Sequence, residues 1–360
     1  MPEPSATASF ASLPVNPVLS AVTRSGRLES FHRGSVVVVH DGEIVLQLGS
    51  GDEPVYARSV VKPLQALPLY ERGVVERLGL TAAERAVLCA SHDGTPAHTA
   101  TVSRFLARGG FDEDLLGCGP HAPFAKEARL AMLRDGERPR KLHNNCSGKH
   151  TGFLHLAREL GVPLAEYLDP ASASQQLVQQ AVAEMAGLDA PLPIGVDGCG
   201  APTFQLPLAA MARAFCQLAN PDGPSCVRTR ACRSILEAVG QAPVLLAGEA
   251  RLCTALVRCW PGRAFAKNGA EGVYAVALAP DATRDRYPGA LGVAIKADDG
   301  AERGYQPVVV DLLRWLGAFA GCQPETVPPD LQRFWRLAIG NTQKKVVGDV
   351  HCVVPWSEFA

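Results

Sequence analysis

The stretch RGSVVVVHDGEIVLQLG, residues 33–49, constrains the fold more than any other. Two runs of β-branched and apolar residues flank Asp41-Gly42, the pair that supplies the left-handed backbone of a tight hairpin turn. An isolated hairpin cannot bury its apolar face, so more strands must join it. Strand character returns only late, in GRAFAKNG (262–269), EGVYAVALA (271–279) and GALGVAIKA (289–297), with a final strand expected near 346–354. Helical signals fill the space between. Thr81 and Glu84 form a capping box before an apolar run. Helices are expected near 98–108, 126–134, 149–160, 173–187, 206–218 and 225–239, with one more near 305–319. This distribution predicts an α+β fold: an antiparallel sheet closed from N- and C-terminal strands, with a central helical lobe. No internal repeat or long linker divides the chain. The reading is a loose arm over 1–30 and a single two-lobed domain over 31–360.

Composition narrows the partners. A net charge of −1, with no basic stripe or charged block, argues against nucleic acid and anionic membranes. No apolar run reaches the roughly 20 residues that span a bilayer, and the first residues lack the pattern of a secretory signal. The eleven cysteines are odd in number and scattered through apolar surroundings, as expected of free thiols in a reducing cytoplasm. Of the 35 basic residues only eight are lysine. A chain that favours arginine keeps lysine preferentially where an amine must be able to lose its proton. Lys62, Lys149 and Lys267 stand beside small polar residues and glycines.

ARSVVKPLQALPL (57–69) places Ser59 three residues before Lys62, so a helix starting near Ser59 would bring the two side chains together. Pro63 fits a first helical turn, and the N–H groups there could hold an oxyanion. The alternative is a capping serine and a solvated lysine, and a chain of this length holds roughly one Ser-x-x-Lys by chance. Two further stretches weigh against chance. CASHDGTPAHT puts Ser91, His92 and Asp93 after an apolar helix, and FAKNGAEG puts Lys267 at a strand end. An early Ser-x-x-Lys, a second serine on a helical-lobe loop and a late strand ending in Lys-x-Gly form the layout of penicillin-recognising enzymes and serine-dependent glutaminases. There a second cation lets the helix lysine act as a base.

KLHNNCSGKHTGFL gathers Cys146, Lys149 and His150, and PIGVDGCGAPTF places Cys199 between glycines after Asp197. Two thiolates and a nitrogen donor could hold Zn²⁺. Spacing alone favours two buried thiols, whereas Asn144, Asn145, Gly148, Gly198 and Gly200 suit a ligand-shaped loop.

Taken together, RSVVKPLQ, CASHDGT, HNNCSGKHTG, GVDGCGAPTF and KNGAEGVYA resemble, in order, the Rhizobium-type L-asparaginases. The resemblance implies a fold akin to serine β-lactamases and glutaminases, a homodimer, and hydrolysis of L-asparagine to L-aspartate and ammonia. It implies catalytic pairs Ser59–Lys62 and Ser91–Lys267, and a zinc held by Cys146, Lys149 and Cys199. Ser59 would attack, with Lys62 kept neutral by Lys267. Arg58, His143 and Asp197 are the candidates for the substrate's charged groups, with His92, Asn144 and Gly198 as further substrate-binding positions. The rival readings are a glutaminase, a β-lactamase-like enzyme, and a non-catalytic zinc or amino-acid binder.

Overall fold

The computed structural model describes residues 15–220, 226–283, 286–319 and 323–359. Its strands are β1 (Val18–Arg24), β2 (Arg27–His40), β3 (Glu43–Leu48), β4 (Pro54–Tyr56), β5 (Ile194–Val196), β6 (Pro202–Pro207), β7 (Ala264–Asn268), β8 (Val273–Leu278), β9 (Leu291–Ala297), β10 (Arg336–Gly340) and β11 (Val346–Cys352). The helices before the third block of strands are α1 (Lys62–Glu71), α2 (Val74–Arg77), α3 (Ala82–Leu88), α4 (Pro96–Arg108), α5 (Lys126–Arg134), α6 (Ser147–Glu159), α7 (Ala173–Ala186), α8 (Leu208–Ala219), α9 (Val227–Gln241), α10 (Pro243–Leu246) and α11 (Leu252–Cys259). Helices α12 (Gln306–Trp315) and α13 (Pro329–Trp335) follow β9.

Eight strands form one sheet in the order β10-β11-β1-β2-β9-β8-β7, with β3 paired to β2. Every pairing in it is antiparallel. The hairpin turns at Asp41 and Gly42, both at positive φ (46° and 90°), as the pair requires. Strand β2 is the common member: Arg27–Arg33 pairs with β1, and Gly34–His40 pairs with β9. Val36 to Val39 are fully buried, so both faces of this strand are covered.

Register says by what. Directly paired residues share a face, which groups Val39, Gly292, Ala277 and Phe265. Helix α8 lies on that face: Phe215 meets Phe265 edge-on at 6.2 Å, and a Cβ on Gly292 would come within 1.9 Å of Ala212 O. On the opposite face Tyr274 stacks on Tyr305, which precedes α12, at 4.9 Å. Lys267 pairs with Ala275 and so shares the α8 face, toward the helical lobe.

The antiparallel sheet from both chain ends and the helical middle are as expected, and the capping box closes with Thr81 N donating to Glu84 Oε2 at 2.8 Å. Three points differ. The sheet begins well before residue 31: β1 and the start of β2 occupy 18–30, between β11 and the rest of β2, so that part of the expected arm is a structural strand pair. Residues 1–14 of the arm lie outside the described residues. Helices α12 and α13 add a layer of their own, with Asp311 accepting from Trp335 Nε1 (2.8 Å) and Trp356 Nε1 (3.0 Å). Finally, α1 starts at Lys62; Ser59 sits before it in a single 3₁₀ turn, Arg58–Val61.

Because the α8 backbone touches the sheet at Gly292, Gly292→Ala is expected to destabilise by about 1–3 kcal/mol. Gly119→Ala, where a Cβ meets nothing within 4 Å, serves as the control. Urea denaturation of the two variants checks this.

Candidate active site

Five segments converge on one cavity of about 510 Å³. The 3₁₀ turn before α1 contributes Arg58 and Ser59, and its first N–H neighbour is tied to β6, Ala57 N donating to Phe204 O at 2.9 Å. Arg58 has φ 48°, a left-handed conformation that a bulky residue adopts only under constraint. The Ser91 loop follows α3 and is zipped to the end of α10: Ser91 N donates to Leu246 O (3.1 Å) and Asp93 N to Ala247 O (2.7 Å). The start of α6 brings Cys146 and Lys149. Its approach depends on Gly148, where a Cβ would stand 2.2 Å from Val87 O in α3. The turn between β5 and β6 supplies Asp197, Gly198 and Cys199, and the end of β7 supplies Lys267 and Asn268.

At the centre is Ser91. Its Oγ lies 2.9 Å from Lys62 Nζ and 2.8 Å from Lys267 Nζ. Lys62 also meets Ala90 O (2.5 Å) and Cys146 Sγ (3.2 Å). Lys267 also meets Asn268 O (2.7 Å) and Oδ1 (3.1 Å). Both lysines are almost completely buried. Burial first, and the neighbouring Lys62 second, bring the Lys267 amine down from the usual lysine value to about 7. A buried amine brought into that range can accept a proton near neutral pH. Ser59 lines the same cavity, and among the described residues its hydroxyl has no hydrogen-bond partner. Lys62 bonds to Ser91 rather than to Ser59, because the α-helix begins one turn later than the Ser-x-x-Lys spacing assumed.

Beside this trio sit two sulfurs and two charges. Lys149 Nζ donates to Cys199 Sγ at 3.2 Å, and Arg58 Nε to Asp197 Oδ1 at 2.7 Å. One donor atom from each of Cys146, Asp197 and Cys199 lies within 4.8 Å of the others. The Cys199 thiol, with Lys62 and Lys149, holds Cys146 well below the usual thiol range despite burial. The same contact and burial push Cys199 up. Burial disfavours the Asp197 carboxylate, but Lys149 and Arg58 outweigh it and its pKa is lowered. Burial likewise opposes the charge on Lys149, and Cys199 and Cys146 overcome it, raising the amine.

The other candidates have different surroundings. His92 is buried under the Ser91 loop, with Nε2 2.9 Å from Ser147 Oγ and its ring stacked on His98. Burial, then His98, holds it neutral by lowering its pKa. His143 accepts from Arg140 N (3.0 Å) and lines a separate cavity of about 500 Å³. Asn144 shapes the loop: its Nδ2 donates to Gly119 O (2.6 Å) and its Oδ1 accepts from Cys146 N (2.9 Å). Gly198 does line the Ser59–Ser91 cavity, its N donating to Asp197 Oδ1. Asn145, already marked as part of a ligand-shaped loop, lines it too, as do Arg251 and Glu302, which escaped the sequence reading. Asn268 had a visible signal, its place after Lys267; Arg251 and Glu302 had none, since each lies in a segment without motif.

The family model described as L-asparaginase II matches residues 20–352. None of the curated proteins matches the sequence. Among solved structures, one described as Mglu in its native form is similar at 13% identity and a TM-score of 0.37, covering 77% of this chain and 62% of that one. This chain thus spans less than two thirds of Mglu. A probable glutaminase of Bacillus subtilis is similar at 12% identity and a TM-score of 0.34, covering 75% of this chain and 83% of that one. A β-lactamase from Burkholderia ambifaria is similar at 17% identity and a TM-score of 0.36, covering 81% and 92%.

The electrostatics predict a thiol hierarchy. In chelator-treated protein at pH 7, iodoacetamide should modify Cys146 before the buried Cys89 and Cys118, both pushed up to about 12 by burial. Lys62→Met should slow the Cys146 reaction. Peptide mass mapping over time reads both.

Proposed function

The chain belongs to the L-asparaginase II family, and on that premise we propose that it hydrolyses the side-chain amide of L-asparagine to L-aspartate and ammonia. The observation that carries the reading is one serine hydroxyl between two buried lysine amines, facing a cavity that also holds a free serine hydroxyl.

Ser59 supplies the nucleophile. Its hydroxyl is unengaged, and it follows a residue in strained conformation on a tight turn, which presents the oxygen to the cavity. The proton passes to Ser91 Oγ as the Ser91 proton moves to Lys267 Nζ. A neutral amine has two N–H bonds and one lone pair. Asn268 O and Oδ1 accept the two N–H bonds, which leaves the lone pair for Ser91. Lys62 holds Ser91 from the other side through three acceptors: Ala90 O, Ser91 Oγ and Cys146 Sγ. Backbone N–H groups of the turn before α1 hold the tetrahedral oxyanion. Ammonia departs with the proton returned through Ser91, and water then hydrolyses the aspartyl ester by the same route. The contact of both amines with Ser91 also favours a second reading, in which Ser91 itself attacks.

A zinc ion belongs to the proposal. Cys146, Lys149 and Cys199, with Asp197 beside them, would hold it, and two sulfurs joined by nitrogen or oxygen donors are its usual company. When bound it would supply a fixed positive charge beside the substrate. Its binding would release protons from Lys149 and Cys199, both of which hold theirs tightly. The homodimer implied by the sequence resemblance, and the cytoplasmic setting suggested by the scattered free cysteines, are part of the proposal. Among the described residues no helix is long and apolar enough to cross a membrane.

The test is ammonia release from L-asparagine and L-glutamine side by side, with and without a chelator, in wild type, Ser59→Ala and Ser91→Ala. Each variant is expected to lose at least about a thousand-fold in kcat. Acid quenching and mass spectrometry should find the ester on Ser59; finding it on Ser91 selects the second reading, and no ammonia from either amide refutes both. The pH profile is a further check. Lys267 works uncharged, and its pKa is depressed to about 7, so kcat/KM should climb about tenfold between pH 6 and pH 8 and then level. Lys267→Arg, which cannot lose its proton, should abolish the rise.

A further inference from the structure

The cavity contains two pairs of opposite charge that differ in how they are occupied. Arg58 and Asp197 are closed on each other at 2.7 Å, and Asp197 also accepts from Gly198 N at 2.9 Å. Arg251 and Glu302 are not. Arg251 Nη2 lies 3.8 Å from Glu302 Oε1, and its Nε lies 3.9 Å from Asp93 Oδ1, both beyond hydrogen-bond reach. Among the described residues the Arg251 side chain donates no hydrogen bond, although it is only 28% exposed. Asp93 Oδ1 is buried and likewise without a hydrogen-bond partner. A guanidinium has five N–H donors, and leaving them idle where water is largely excluded is costly. Asp93 fixes the position of the guanidinium from behind without taking up its donors. Its own place is set by Gly248, where a Cβ would stand 2.0 Å from Asp93 Oδ2.

A carboxylate is the ligand group that engages two such donors at once. Glu302, across from them and 52% exposed, leaves an oxygen available to a cation, with Gln306 Nε2 at 3.3 Å on the other. The cavity wall next to Glu302 includes Gly300 at φ 78° and Gly272 at φ 70°, with Glu271 between them in the lining, its Oε2 2.9 Å from where a Cβ on Gly300 would stand. Asn268, which bonds the Lys267 amine, lines the same cavity and borders a small recess with Arg251 and Glu302. The head-group site therefore adjoins the reacting trio.

We propose that Arg251 receives the α-carboxylate and Glu302 the α-ammonium of the substrate, so that the cavity selects free α-amino acids and discriminates against simple amides and N-blocked or C-blocked ones. This rests on the amide-hydrolase reading above for the identity of the third ligand group, and goes beyond it in saying which residues read the zwitterion. Arg58 and Asp197, two of the three candidates named from the sequence for the substrate's charged groups, instead brace each other and the Cys199 turn.

The experiment measures binding, independently of turnover. Calorimetry of the full-length protein is run with L-aspartate, with succinate, which lacks the ammonium, and with β-alanine, which lacks the α-carboxylate. Wild type should bind L-aspartate at least about tenfold more tightly than either truncated ligand. Arg251→Gln should erase the preference over β-alanine while leaving β-alanine affinity as it was, and Glu302→Gln should do the same for succinate. Arg251→Lys, which keeps the charge and loses the fork, should fall between. Equal weakening of all three ligands by Arg251→Gln, an unchanged L-aspartate affinity, or no preference or no binding in wild type would each overturn the proposal. The wild-type ligand series stands even where a variant fails to fold. If the binding pattern holds but no ammonia is released from asparagine, the hydrolase reading fails and the clamp survives; ammonia release without the pattern means the reverse.

Discussion

Two lysine amines cannot both carry charge cheaply within hydrogen-bond reach of one hydroxyl inside a protein. Burial disfavours each charge, and their mutual repulsion adds to it. This molecule resolves the conflict by giving the two amines different company. Lys62 faces a carbonyl and the Cys146 sulfur, whose pKa is depressed, so negative charge stands next to it. Lys267 faces only the neutral oxygens of Asn268 and Ser91, and its pKa falls. Difference in environment thus separates two chemically identical groups, and burial beside Lys62 lowers the Lys267 amine.

The architecture can be understood as what holds that asymmetry in place. Lys267 reaches the helical lobe because strand register puts it on the same face as Ala275, under α8. Ser91 is fixed from behind by backbone bonds to the end of α10, and α6 can bring Cys146 against Lys62 only because Gly148 lets it contact α3. None of these supports is itself chemical. A shift of one residue in the β7–β8 register would turn Lys267 to the opposite face, toward the layer of Tyr305 and α12.

The cysteine and lysine pairs near Cys199 follow the same logic of paired surroundings. Arg58, Lys149, Asp197 and the two thiols compensate one another, so a dense group of ionisable side chains is tolerated under the cavity floor. Arg251 stands outside that balance. In a site otherwise closely matched, an arginine with idle donors marks where a ligand completes the set.

The sequence by itself determined the local pieces: the hairpin at Asp41-Gly42, the Thr81 capping box, most helices, and the short list of serines, lysines and cysteines from which the site is drawn. These follow from turn chemistry, capping and periodicity, which act over a few residues. Ser59 and Lys62 were legible from their Ser-x-x-Lys spacing, and Ser91, Lys267, Cys146 and Cys199 because small polar residues and glycines surround them. What tertiary structure alone decided is which of them touch. Ser-x-x-Lys spacing implied a Ser59–Lys62 contact, yet a 3₁₀ turn delays α1 and sends Lys62 to Ser91. Membership of β1 in the sheet, the neutral surroundings of Lys267, and the meeting of Arg251 with Glu302 are likewise set by contacts between segments far apart in the chain. Local patterns carry no information about those contacts, because pairing partners and burial are properties of the assembled fold.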